Sequence, residues 1–328
     1  MDQCVITRTS TVASGRFAPG HLGELTQQIP FEMVDAALAA TGRLQARVRA
    51  LPARVVVYLV LAGCLFAELG YGQVWQRLAA GLQGLPVVAP TASALTQARR
   101  RLGSAPFQAL FALLAGPGGA GPAAVGVRVG GLLVCAIDGT TMSVADTPAN
   151  LTTFAKQPGH HGGSGYPLVR LVALVACGTR TVIDAVFGPI ATGELAYAGR
   201  LCAGLRAGML VLADRNFDSA GLIGALAASG AQLLIRCKTG TTARRLPLLG
   251  CLPDGSWLSL VGGVKVRVLH AQITIATATG ERTGDYRLVT TLLDARAWPA
   301  AMLVALYHQR WEIEMCQPRC THGCEVAA

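Results

Sequence analysis

The sequence predicts an α/β protein in two parts, an all-helical N-terminal module followed by a core of mixed strands and helices. Three observations carry this. The first third of the chain repeats apolar residues at the three-to-four spacing of helices. Residues 116–126, GPGGAGPAAVG, form a Gly/Pro-rich break. Beyond it, two short apolar runs each release their first acidic side chain at the end, LLVCAI at Asp138 and MLVLA at Asp214.

Composition sets the bounds. With 328 residues, 52% of them hydrophobic, the chain can bury a substantial core, which excludes disorder for most of its length. Lys and Arg number 28 against 18 Asp and Glu, a formal charge of +10, and that balance favours a polyanionic partner. Ten cysteines are scattered, several inside apolar runs such as LLVCAI, as expected for buried thiols in a reducing compartment. The N-terminus MDQCVITRTSTVASGR lacks the apolar stretch of a secretory signal. Residues 55–67 are 13 uncharged positions, too few for a membrane span and suited to a buried helix. A cytoplasmic protein with no membrane partner is expected.

Residues 1–20 read as a flexible lead. A helix is expected over 22–49, ending in Arg43, Arg47 and Arg49. Pro52 starts a second, nearly all apolar and therefore central, which Gly70 breaks. Shorter helices follow over 72–82 and 91–102, the latter capped by Thr91 or Ser93. Its end carries Arg99, Arg100 and Arg101, which complement the helix dipole or grip DNA phosphates. Helix continues over 103–115.

The second part opens with the strand ending at Asp138, which is expected to turn on Gly139 and Thr140 before a short strand at 142–144. Strands at 169–177 and 181–187, joined by a tight turn, read as an antiparallel hairpin. A helix over 193–205 delivers the chain to the strand ending at Asp214, and another spans 218–229. Residues 231–292 read as a small inserted sheet. The last helix starts at Pro299 and runs to about 315. It places Tyr307, Arg310 and Glu314 at spacings of three and four, on one face. Asp138, Asp214 and Glu314 thus supply three carboxylates able to assemble around divalent cations. Hard oxygen ligands suit magnesium, and two such ions roughly 3.5–4 Å apart activate a hydroxyl and stabilise a leaving oxygen in phosphoryl transfer.

Asp138-Gly139-Thr140-Thr141 with the following Asp146-Thr147-Pro148-Ala149-Asn150, the segment Leu212 through Phe217, and Tyr307 through Glu314 resemble the three acidic motifs of IS4-family insertion-sequence transposases. LPARVVVYLVLAGCLFAELGYGQVWQRL is similar to that family's helical N-terminal domain. The resemblance implies a ribonuclease-H-like catalytic core with a β-rich insertion. It implies DNA strand cleavage and strand transfer by a DDE triad of Asp138, Asp214 and Glu314, with Mg2+ or Mn2+. The implied division is 21–115 for DNA binding, 116–126 linker, 127–230 first part of the core, 231–292 insertion, 293–315 final core helix and 316–328 tail. Tyr307, Arg310, Arg99, Arg100, Arg101 and Arg215 are the candidate DNA contacts. The implied partner is double-stranded DNA, at the terminal inverted repeats of the element, bound by a homodimer that associates with the nucleoid.

The family's last motif is a tyrosine, an arginine three on, a glutamate four further and a lysine seven beyond. Thr321 stands where that lysine would be, and the tail MCQPRCTHGCEVAA departs from the family, so a truncated or frameshifted, impaired enzyme is the expectation. The competing readings are a metal-dependent ribonuclease-H-like nuclease that does not join strands, and an inactive DNA-binding remnant. Cys316, Cys320, His322 and Cys324 allow a zinc site, but chance clustering in an altered tail explains them better. His160 and His161 fall in a Gly-rich loop.

Overall fold

A computed structural model of the chain describes residues 22–45, 47, 49–80, 89–114, 128–156, 165–178, 181–277, 280–308 and 310. These fall into two compact units that divide after Leu114. The expected lead at 1–20, the linker at 116–126, His160, His161, Glu314, Thr321 and the cysteine-rich tail lie outside the described residues.

The first unit is helical: α1 (Leu22–Gln28), α2 (Phe31–Ala40), α3 (Ala53–Leu65), α4 (Tyr71–Ala79), α5 (Ala92–Leu102) and α6 (Ala105–Leu114). The single helix expected over 22–49 is instead two short ones. Pro30 has no N–H to donate and disfavours helical geometry in the residue before it, so α1 stops and Pro30 becomes the N-cap of α2. The Tyr58 hydroxyl, from α3, donates to the Ile29 carbonyl at this break, 2.5 Å away, and its ring meets Phe31 edge-on at 5.6 Å. Burial pushes the Tyr58 phenol up to about 12. The chain leaves α2 through Gly42 at φ 64, a left-handed turn that glycine adopts without penalty, so Arg43, Arg47 and Arg49 lie on the following loop. Around α3 pack Val34, Leu38, Val74, Leu95, Leu102 and Leu110, the core that its apolar sequence anticipates. Thr91 is the cap of α5, its side chain accepting from the Ala94 N–H, and Gly103 ends that helix before α6 starts.

Among the described residues the second unit is built on ten strands with helices on both faces. In chain order these are β1 (Arg128–Val129), β2 (Leu132–Ser143), α7 (Pro148–Thr153), β3 (Leu168–Ala176), β4 (Thr181–Pro189), α8 (Glu194–Arg200), β5 (Met209–Ala213), α9 (Ala220–Ala228), β6 (Gln232–Arg236), β7 (Gly250–Cys251), β8 (Trp257–Val261), β9 (Val264–Thr277), β10 (Gly280–Thr290) and α10 (Ala300–His308). The sheet runs β4-β3-β2-β5-β6-β10-β9-β8-β7, with β1 beside β2. The strand β3 is antiparallel to both of its neighbours, β2 and β4, whereas β2, β5 and β6 are parallel.

Two expectations are corrected here. First, β2 does not turn after Asp138; it continues through Ser143, with Gly139 opposite Val172 of β3. Second, residues 231–292 do not make a sheet of their own. The run LLIR is β6, parallel to β5 in the central sheet, and β10 adds antiparallel to β6, so β7 to β10 extend the same sheet. Buried Arg267 of β9 clips this extension down: its guanidinium donates to Ser256 Oγ at 2.7 Å and to the Trp298 carbonyl at 2.6 Å, and pairs with Asp254.

Strand alternation explains the two cores. Leu133, Cys135, Ile137, Val211, Ala213, Leu233 and Ile235 face α8 and α9, packing with Tyr197, Leu201, Ile223 and Leu226. Val134, Ala136, Leu210, Leu212 and Leu234 point the other way, onto Leu303, Leu306 and Tyr307 of α10.

Candidate active site

The parallel register sets the site. Ile137 of β2 lies opposite Ala213 of β5, so Asp138 and Asp214 come next on adjacent strands, with backbones about 5 Å apart. By the two-residue period both continue the rows that face α10. Each is half-buried. Here β5 ends while β2 runs on, which opens a notch at the carboxyl ends of parallel strands, the usual place for a ligand in such sheets. Asp138 accepts from the Gly139 N–H at 2.9 Å, and Asp214 from the Asn216 N–H at 2.8 Å, which pins each carboxylate to its own backbone.

The third parallel strand adds a residue that sequence reasoning passed over. Ala213 pairs with Ile235, so Arg236 follows beside Asp214 on the same face. Its guanidinium lies 3.8 Å over the Tyr286 ring. The signal was present: LLIR is an apolar run ended by its first charged side chain, the pattern that singled out Asp138 and Asp214. Assigning it to an inserted sheet concealed it.

From the facing helix, Tyr307 is 1% exposed and its hydroxyl donates to the Ala213 carbonyl at 3.3 Å, the residue before Asp214. Burial pushes this phenol up to about 12. Tyr307 is therefore an anchor between α10 and the strand end, buried from solvent. Arg310 follows in the turn after α10, 4% exposed, its guanidinium 5.7 Å from the Tyr307 ring. Glu314, on the same sequence motif, lies beyond the described residues.

A further carboxylate approaches from the opposite face. Glu194, first residue of α8, lays its side chain against Gly139, so closely that a Cβ built on that glycine would collide with Glu194 Oε1. Burial raises the Glu194 carboxyl above its ordinary range, and the charges of Asp214 and Asp138 add to the rise while Arg170 opposes it. Arg170 also donates to the Thr192 carbonyl at 2.8 Å, holding the loop that delivers Glu194. Among the described residues no three His, Cys, Asp or Glu side chains converge closely enough to hold a metal. Asp138 and Asp214 supply two hard oxygen donors on one side, a set that fits a divalent cation completed by a further acid.

The other candidates have their own local settings. Arg215 is exposed just past Asp214. Of the arginine triplet on α5, Arg99 lies 4.2 Å over the Tyr71 ring, whereas Arg100 and Arg101 are exposed. Asp146, eight residues past Asp138, pairs with Lys156 at 2.5 Å, and Thr147 caps α7, so that segment is held by local structure.

Two family models cover this architecture. The helical first unit matches the insertion element 4 transposase N-terminal domain over residues 19–112, and the second unit matches the transposase DDE domain over residues 130–315. The chain belongs to the IS4 family of DDE transposases. It is 29% identical over 292 residues to transposase InsG for insertion sequence element IS4 of Escherichia coli strain K12, covering 87% of this chain and 65% of that protein. It is also 29% identical over 206 residues to the putative transposase InsZ of the same strain, covering 60% of this chain and 64% of that one. The chain thus spans just under two thirds of the length of these curated relatives. Among solved structures it is similar to a piggyBac transposase synaptic complex with hairpin DNA, with a TM-score of 0.38, 12% identity, and coverage of 58% of this chain and 41% of that one.

Proposed function

We propose that the chain catalyses metal-dependent DNA strand cleavage and strand transfer at the ends of an insertion sequence. The observation that carries this is the placement of Asp138 and Asp214 side by side at the ends of parallel β2 and β5, both facing α10. The strand order β4-β3-β2-β5-β6, three antiparallel then two parallel additions, supports a ribonuclease-H-like core at 127–230 completed by β6, with the rest of 231–292 as its β-rich insertion and 293–315, which contains α10, as the closing segment. The unit within 21–115 is the proposed DNA-binding domain, joined through 116–126; 1–20 and 316–328 are a lead and a tail.

Asp138, Asp214 and Glu314 would hold Mg2+ or Mn2+. A bound divalent ion supplies activation of the attacking hydroxyl and stabilisation of the leaving 3′ oxygen. The chain's own residues do the rest. Tyr307 fixes α10 against the end of β5. Arg236 places positive charge beside Asp214, where a phosphodiester would need neutralising, and Arg310, next to Tyr307, would add to it. Glu194 presses on Gly139 from behind and holds the backbone that carries Asp138. Arg100, Arg101 and Arg215 are exposed cations for the phosphate backbone. The partner is double-stranded DNA at the terminal inverted repeats, engaged by a homodimer, in the cytoplasm at the nucleoid. Among the described residues no helix is long and apolar enough to cross a membrane.

The test is an end-cleavage and joining assay on duplexes carrying the element's own terminal repeats, with Mg2+, Mn2+ or chelator. Metal-dependent cleavage followed by joining to target DNA supports the proposal. Cleavage with no joined product would favour a nuclease, and binding without cleavage a remnant.

A further inference from the structure

The sequence presents two separate basic clusters in the N-terminal unit, Arg43, Arg47 and Arg49 after α2 and Arg99 to Arg101 at the end of α5. The fold merges part of them. Arg43, Arg47, Arg49 and Arg101 line one cavity of 340 Å³, floored by Ala53 and Val56 of α3 and by Ala98 and Leu102 of α5. The convergence has local causes. Gly42 turns the chain out of α2 in a left-handed conformation, and Arg43 Nη1 then donates to the Arg101 carbonyl at 3.1 Å, tying the loop to the last turn of α5. Gln45 accepts from the Ala53 N–H at 3.2 Å, which fixes the far end of the loop on the start of α3. Arg99 is not part of the group; it is stacked on Tyr71.

Four guanidinium-bearing side chains surround this cavity, and among the described residues no carboxylate lines it. All four residues are exposed, so their charge reaches solvent. Like charges gathered without acidic neighbours repel one another, and the arrangement is relieved by an anion that accepts several N–H bonds at once, as a phosphate does. The cavity has room for a phosphodiester and the sugar beside it, and its mouth is open for a polymer to cross.

We propose that this cavity grips a phosphodiester of the DNA backbone, so that the loop between α2 and α3 and the end of α5 form one phosphate clamp. The inference rests on the proposed action on DNA and adds the place where the helical unit holds it. The ligand is the DNA strand's phosphate, recognised by charge and shape without base contacts.

The experiment measures binding of the full 328-residue chain to a fluorescent duplex bearing its terminal repeats, as a function of salt. Each phosphate that is no longer neutralised should reduce the steepness of the negative slope of log K against log salt by about 0.9 between roughly 50 and 200 mM. Arg47→Ala with Arg49→Ala should reduce it by about 0.9, the one phosphodiester held, and Arg101→Gln by up to about the same amount. Removing an exposed charge at the amino-terminal end of β5, Arg206→Ala, should leave the slope unchanged. Arg47 and Arg49 are exposed loop residues, so their variants should keep the native thermal midpoint, which separates impaired binding from impaired folding. Pocket variants with the native slope would overturn the clamp while leaving the action on DNA intact. Failure of the unaltered chain to bind duplex DNA would overturn both. Tighter binding to duplex RNA of the same sequence, abolished in the same variants, would overturn the assignment to DNA.

Discussion

The carboxylate of Glu194 occupies the space that a side chain at position 139 would take: a Cβ on Gly139 would overlap its Oε1. This explains the glycine in the Asp-Gly pair of the first acidic motif. Position 139 is in a regular strand, so glycine is there for room and not for a turn. Gly139→Ala should therefore fold, because the clash falls on the mobile end of a side chain, but it should expel Glu194. NMR titration should then find the Glu194 carboxyl back near the ordinary range. A carboxyl still raised would mean that alanine fits beside it.

The raised Glu194 carboxyl also makes a pH prediction. The folded chain holds this proton more readily than the unfolded chain, so between the two pKa values it binds more protons and stability falls as pH rises through that window. Glu194→Gln should raise the melting temperature at neutral pH. The gain should vanish in acid, below the ordinary glutamate range, where the group is protonated in both states. A gain that persists unchanged there would point to packing rather than charge.

Arg267 is fully buried and bonds Ser256, Asp254 and the Trp298 carbonyl just ahead of α10. Arg267→Leu strands these acceptors and should cost about 3 kcal/mol or more. Because the clip joins β9 to the approach to α10, hydrogen exchange should quicken in α10 as well as in β9. Chemical denaturation and exchange mass spectrometry check both effects; a loss confined to β8 and β9 would show that α10 is held independently.

Tyr307→Phe removes the hydroxyl that donates to the Ala213 carbonyl. It should cost about 1 kcal/mol of stability, since the ring stays packed. DNA affinity should be unchanged, because the side chain is buried, while end cleavage slows. A drop in affinity with cleavage rate preserved would return Tyr307 to the DNA surface.

Much of this was legible in the sequence because burial writes itself into local pattern. The apolar run of α3, the strand pair β3 and β4, and the carboxylates that close LLVCAI and MLVLA all follow from which residues must leave water. The Thr91 cap was legible for the same local reason. Pairing between distant segments is not written this way. Nothing local says that β6 joins β5, that Arg236 thereby stands beside Asp214, or that Glu194 reaches Gly139 across the sheet. The meeting of Arg43 and Arg101 likewise depends on helix packing. The break at Pro30 was readable, and the apolar spacing on either side of it obscured it.

The most direct test of the central claim is single-turnover cleavage of a terminal-repeat duplex by Asp138→Asn, Asp214→Asn and Glu314→Gln proteins in Mn2+, with DNA binding measured alongside. Each variant should bind the duplex as the unaltered chain does and cleave it about a hundredfold more slowly or worse. Cleavage at the native rate by the Asp138→Asn or Asp214→Asn protein would contradict the account.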